Sequence, residues 1–402
     1  MSKTTSCLVS IIHHLRDGKG HVLPYHKSLA KVSEVLKIEH IFILPDETSK
    51  FFAPASKVIS FFAPHRSLEL ERQDMMKLVL SWRFVFLFLD TMKLGLDLRK
   101  IFKSLDKSYI YKNVFFESFN PFQLAALFVS FFMFKNKKDW HIILLLRGSD
   151  KWGNGLYWLQ SKGFHRAFKL LFWVNDIFKI VPNVVLTSDS EKVAIRLREY
   201  YRRPVTVLPI PHTPDVLPEL PKKTKTHTQL WWPGHPRLDK GSEVISEFIS
   251  RKDEYLAKFQ LSLSKSDLVQ TEAAHIQIEE LSPNLDVDEY NLLFSKMDVI
   301  LLPYSKDVYN ESTSGVFVEC IFAERPALVP NETWMAYEYE KFGLPELIFD
   351  ASVDGMVESL RHAEMPSTLE KLRNMSKHYR DFHCVDGFAH EIRDVLPFLK
   401  EV

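Results

Sequence analysis

Short apolar runs alternate with helical stripes along this chain. Leu8–Ile12, His40–Leu44, Asn113–Glu117, Ile142–Leu146, Val184–Thr187 and Val205–Leu208 are brief, mostly apolar stretches. Runs of that length suit strands buried on both faces of a parallel sheet. Between them, apolar residues recur at helical spacing around Lys27–Leu36, within Leu68–Leu105, and over Leu124–Phe134, Lys162–Lys179 and Glu191–Tyr201. Pro209–Lys225 then carries five prolines and no period, as a stiff linker would. A second series follows, with strands predicted at Gln229–Trp232, Phe259–Leu263, His275–Glu279, Val299–Leu302 and Ala327–Val329. Its helices fall at Ser242–Ser250, Val287–Lys296, from about Gly315, and at Met335–Phe342. The tail Val353–Phe398 reads as two or three amphipathic helices. Strand–helix alternation of this kind predicts an α/β protein with two Rossmann-like domains, residues 1–220 and 221–378.

Composition narrows the picture without changing it. A chain of 402 residues exceeds the usual size of one core. Lys and Arg number 52 against 51 Asp and Glu, so no global field draws the chain to nucleic acid. Three scattered cysteines, Cys7, Cys320 and Cys384, form no metal-binding cluster and suit a reducing compartment, the cytoplasm. The start, MSKTTSCLVSII, lacks the architecture of a signal peptide. The longest apolar stretch, Leu124–Phe134, is about half of the roughly 20 residues that span a bilayer, and reads as a buried helix.

Candidate chemistry gathers where strands give way to helices. After Val299–Leu302 comes a polar loop, Ser305–Ser314, and then a helix. Backbone N–H groups at Ser312, Thr313, Ser314 and Gly315 would surround an anion there, since helix N-termini carry unpaired donors and a favourable dipole. Glu311 precedes the helix and Glu319 lies one turn inside it; a carboxylate accepts two hydroxyls of a ring at once. The plain alternative is an N-cap with two surface glutamates. After Gln229–Trp232 comes Pro233–Gly241, in which Lys240 and Arg237 would place cations beside the next helix. Arg147 and Asp150 follow Ile142–Leu146, a position that in parallel sheets belongs to a site or to a surface turn. Lys162–Lys179 mixes basic and aromatic residues; core burial of its aromatic face is favoured over contact with an anionic membrane surface.

The run ESTSGVFVECIFAERPALVP, with Glu311 and Glu319 separated by seven residues, resembles the Glu-x7-Glu motif of family 4 retaining glycosyltransferases. That resemblance implies the GT-B architecture, two Rossmann-like domains facing across a cleft, with residues 379–402 crossing back to the first domain. It implies that Glu311 faces the donor sugar, that Glu319 holds the nucleotide ribose, and that Ser314, Gly315 and Val316 contact the diphosphate. Gly234 and Lys240 match a second family pattern, Gly-Arg-Leu followed by Lys-Gly. There His235 stands in the arginine's place and Arg237 would supply the missing charge. An early glycine loop approaches donor phosphate and acceptor in the family, so Gly18, Gly20 and His21 are candidates. The histidine that usually follows the Ile142–Leu146 strand is absent. Glu324 stands where the family has glycine, which predicts a local change of turn.

The reading is a glycosyltransferase moving a sugar from a nucleotide-diphosphate donor to a glycan or lipid-linked acceptor. No Asp/Glu pair announces itself as nucleophile plus acid, and no DxD-type signature is present, so retention without a metal or other cofactor is expected. The enzyme would be cytoplasmic, with peripheral contact at the inner face of the cell membrane. The rivals are a sugar-nucleotide epimerase or hydrolase of the same architecture, and a non-catalytic relative that binds a nucleotide sugar or a partner protein.

Overall fold

The computed structural model describes residues 4–13, 15, 22–52, 57–62, 82–117, 119–132, 134–148, 162–211, 227–269, 275–282 and 285–396. Much of the proline-rich linker therefore lies outside the described residues. The chain divides into two compact units, Met1–His212 with Val385–Val402, and Thr213–Cys384.

Unit 1 is built on seven parallel strands: β1 (Thr4–Ile11), β2 (Glu39–Pro45), β3 (Lys57–Phe62), β4 (Tyr109–Glu117), β5 (Trp140–Leu145), β6 (Asn183–Ser188) and β7 (Val205–Val207). Their order is β3-β2-β1-β4-β5-β6-β7, with Val9 opposite both Ile41 and Val114. Side chains alternate across a strand, and the two faces have separate covers. Val9, Val114, Phe116 and Ile142 pack with the helices Trp82–Ser108, Pro121–Phe131, Lys162–Phe178 and Glu191–Tyr201. Leu8, Phe115 and Ile143 pack instead with the helices Val22–Val35 and Val385–Val395. With helices on both faces, the central strands read as unbroken apolar runs; every residue of β5 is buried.

Local signals fix the helix ends. Asn120 accepts from Gln123 N while the Gln123 side chain accepts from Asn120 N, with Pro121 at the first helical position. This capping box satisfies donors that the helix cannot. Ser190 caps the helix Glu191–Tyr201 in the same sense.

Unit 2 has six parallel strands: β8 (Thr228–Trp232), β9 (Phe259–Ser264), β10 (Gln277–Leu281), β11 (Val299–Leu301), β12 (Ala327–Pro330) and β13 (Ile348–Phe349). They are ordered β10-β9-β8-β11-β12-β13. β10 starts two residues later than its apolar pattern suggested, because it is an edge strand with largely exposed side chains and weak patterning. The tail forms three helices, Val353–Ala363, Pro366–Phe382 and Val385–Val395. No helix among the described residues is long and apolar enough to cross a membrane.

Candidate functional site

In unit 2 the strand order reverses between β8 and β11. Open parallel sheets bind ligands in the crevice outside the carboxyl ends of the strands at such a reversal. Both motifs singled out in the sequence open from these two strands. Gly234–Gly241 follows β8; Glu311–Val316 follows β11 after a one-turn helix, Lys306–Tyr309.

The two loops are tied together at short range. Ser305 N donates to Asp239 O at 2.9 Å. Gly241 sits at φ +81°, and a Cβ there would lie 2.0 Å from the Pro303 carbonyl oxygen. Only glycine permits both the left-handed backbone and that approach. The Lys240 ammonium lies 5.6 Å from the centre of the Tyr304 ring, and Trp232 Nε1 donates to the Lys240 carbonyl at 3.1 Å. A Cβ on Gly234, at φ +83°, would fall 2.6 Å from Lys240 Nζ, so the ammonium rests against bare backbone.

The charges of this loop differ from expectation in one respect. Arg237 donates from Nη2 to Asp239 Oδ2 at 2.9 Å, so its charge is already partly cancelled. His235, in the expected arginine's place, is exposed. Lys240 makes no ion pair among the described residues. Burial, and then the neighbouring Arg237, lower its pKa to about 8. Lys240, rather than the pair, carries the positive charge of this edge.

The helix Gly315–Phe322 supplies donors on the loop after β11. Ser314 Oγ accepts from Phe317 N at 3.2 Å and caps the helix. The N–H groups of Gly315 and Val316 have no intrahelical acceptor. Ser312 and Thr313 are half-buried just before the cap, and Glu311 is almost fully buried, at 1% exposure. Glu319 accepts a hydrogen bond from Tyr290 OH at 2.6 Å. Burial raises its pKa to about 7, against the opposing effect of that bond. The Tyr290 ring meets Trp231 of β8 edge-on at 5.1 Å. Glu319 is thereby tied to the strand that leads to Lys240. Glu324 adopts φ +53°, a left-handed conformation that glycine takes more readily. Arg380 and Arg373 pair with its carboxylate.

In unit 1 the order reverses between β1 and β4. Gly18, Gly20, His21 and Asp150 lie outside the described residues. Arg147 stands two residues past β5, with Glu117 at the end of β4 and Asp189 just past β6. Arg147 Nη2 donates to Glu117 Oε2 at 2.7 Å, and Nη1 lies 3.6 Å from Asp189 Oδ2. Its guanidinium covers the Tyr25 ring at 4.8 Å. Burial opposes the charge, but the two carboxylates outweigh it and push the Arg147 pKa up. Glu117 Oε1 lies 2.9 Å from His26 Nε2, on the helix that follows β1. His26 Nδ1 is buried with no hydrogen-bond partner among the described residues.

Tyr290, His26, Glu117 and Asp189 were not anticipated. Glu117 and Asp189 terminate strands that the apolar pattern does predict, and the rule that pointed to Arg147 applies equally to them. Tyr290 and His26 carry no signal of their own, since each lies on an ordinary amphipathic helix.

The sequence matches no family model and no curated protein. At the level of structure the whole chain has counterparts. A glycosyltransferase from Rickettsia africae ESF-5 matches at TM-score 0.62 and 13% identity, over 99% of this chain and 98% of that one. The α,α-trehalose 6-phosphate synthase of Burkholderia multivorans matches at 0.61 and 9% identity, over 100% and 98%. MnaA of S. aureus, solved with UDP, matches at 0.56 and 14% identity, over 99% and 98%. The fold is GT-B. At these identities the likeness establishes architecture; the chemistry rests on the residues. In the GT-B frame of this chain, both reversal points carry polar residues on adjacent loops.

Proposed function

We propose that this chain transfers a sugar from a nucleotide-diphosphate donor to a hydroxyl of a glycan or lipid-linked acceptor, with retention and without a metal. One observation carries the reading. A cation with no ion-pair partner among the described residues lies on the loop after β8, and a capped helix N-terminus with Glu319 inside its first turns follows β11, the two strands that flank the reversal point of unit 2. The diphosphate would lie against Lys240 and the N–H groups of Gly315 and Val316. Glu319 would accept from the ribose hydroxyls and Glu311 from the sugar. The structural counterpart solved with UDP supports a nucleotide as the ligand of such a fold. The free thiols Cys7, Cys320 and Cys384 suit a cytoplasmic enzyme.

In the reaction, the bond between the anomeric carbon and the phosphate oxygen breaks, and its electron pair leaves with the diphosphate. Lys240 and the two N–H groups meet that growing charge, so the step as proposed requires no divalent ion. Preorganised charge of this kind is commonly the largest catalytic term. The acceptor oxygen bonds to the anomeric carbon, and its proton passes to the departing phosphate. Thermal-shift measurements with UDP-, GDP- and ADP-sugars test the binding. A donor at a hundred times its Kd adds about 2.7 kcal/mol of stability, and a flat response to all three classes defeats the reading.

A further inference from the structure

The helix Lys162–Phe178 has two apolar faces. Phe164, Phe168 and Phe172 are buried in the core of unit 1. On the opposite side Leu170, Trp173 and Ile177 are more than half exposed, at 59%, 58% and 52%. A helix apolar all round is normally enclosed; this one is not. Its neighbour Trp82–Ser108 shows the same trait, with Phe86 at 65% exposure. Both helices pack on Pro121–Phe131 between them, within one layer over the sheet. The segment after that middle helix joins them. Arg99 donates to the carbonyl of exposed Phe132, and Lys137 donates to the carbonyl of Lys179. Of eighteen large exposed apolar residues among the described residues, eleven fall on this one layer.

Its charge is equally uneven. Residues 85–107, 132–139 and 162–179 hold twelve Lys and Arg against five Asp and no Glu, in a chain whose totals are 52 and 51. We infer that this outer layer of unit 1 is a docking surface for an anionic phospholipid bilayer. The apolar side chains would enter the boundary between headgroups and acyl chains, as the large residues of interfacial helices do. The surrounding Lys and Arg would meet lipid phosphates, an attraction that acts within about 8 Å at physiological salt. A second copy of the chain is a poor occupant. A symmetric contact would set the same positive face against itself. The inference stands apart from the reading of unit 2, because nothing in it uses the donor residues.

Sedimentation with vesicles tests it. The full chain should bind vesicles of equal parts phosphatidylglycerol and phosphatidylcholine, at least tenfold more tightly than pure phosphatidylcholine, with binding lost as salt is raised. Trp173→Ser with Ile177→Ser, both outward-facing, should weaken binding at least tenfold without moving the melting curve. Lys169→Glu should weaken it several-fold on anionic vesicles alone. Absence of binding to anionic vesicles overturns the inference, as does binding that the double variant leaves unchanged. Light scattering that shows a dimer dissolved by the same double variant also overturns it, and assigns the face to a second copy. Donor-induced thermal shifts should be equal in wild type and variants, so failure here is distinguishable from failure of the donor site.

Discussion

At the reversal point of unit 2, the Lys240 ammonium stands over the Tyr304 ring with no carboxylate in salt-bridge range among the described residues, and the loop after β11 ends in a capped helix N-terminus. At the reversal point of unit 1, Arg147 is enclosed by Glu117 and Asp189, and Glu117 also meets His26. The same topology thus presents an ammonium outside any ion pair among the described residues in one unit and a paired, hydrogen-bonded cluster in the other. A diphosphate needs the first kind of edge, because its two charges must be met where water is thin. The second is satisfied internally: Glu117 and His26 are buried, and Glu117, Arg147 and Asp189 hold the ends of β4, β5 and β6 together. Under the proposed function, this contrast makes the unit 2 edge the one suited to a diphosphate.

Breaking the unit 1 cluster should have the largest effect. Glu117→Ala leaves Arg147 with only the longer Asp189 contact, and loss of one partner of a buried pair typically costs about 3 kcal/mol or more. Thermal unfolding should show that loss, while donor-induced stabilisation of unit 2 persists. Lys240→Ala should do the reverse: a normal melting curve, and transfer slowed at least a hundredfold, about 2.7 kcal/mol of barrier. Undiminished turnover in that variant removes Lys240 from the mechanism.

A pH profile sharpens the contrast further. Glu319 takes up a proton as pH falls through about 7, and Lys240 loses one as pH rises through about 8. Donor affinity should therefore peak between those values and fall on both sides. Tyr290→Phe removes the hydrogen bond that holds the Glu319 carboxylate. The acid limb should then move to higher pH, with about 1 kcal/mol of affinity lost; titration calorimetry across pH reads both. The smallest effect belongs to Glu324→Gly. Relief of a left-handed non-glycine residue is worth about 1 kcal/mol or somewhat more, less the small contribution of two exposed ion pairs. A melting point that rises slightly, with activity unchanged, is the expected result.

Most strands and helices were legible in the sequence because their signals are local: apolar runs, helical stripes and capping residues. The unit 2 candidates were legible for the same reason. Glu311, Ser314 and Glu319 lie within three turns of chain, and Lys240 stands in a short glycine-flanked loop. The unit 1 cluster was not. His26 and Glu117 are 91 positions apart, and Arg147 is 30 from Glu117. Only the strand order, with β4 inserted beside β1, brings them together. The reading of Lys162–Lys179 as a core helix captured Phe164, Phe168 and Phe172. It also counted Trp173 in that buried face, and Trp173 is 58% exposed, because a periodicity count reports that apolar residues recur and not which of them a neighbour covers.

The division of the chain has a bearing on its synthesis. Phe388, Ile392 and Leu396 close a cluster with Tyr25, Leu29 and Phe115, yet they are translated only after all of Thr213–Cys384. At about 5–20 residues per second, that interval lasts roughly ten to thirty seconds. Throughout it, one side of the β1–β4 sheet has only the helix Val22–Val35 as cover, and unit 2 has all its residues before the second covering helix is made. The half of the protein that emerges first is therefore the one completed last, and its apolar face stays partly open until the final helix is made.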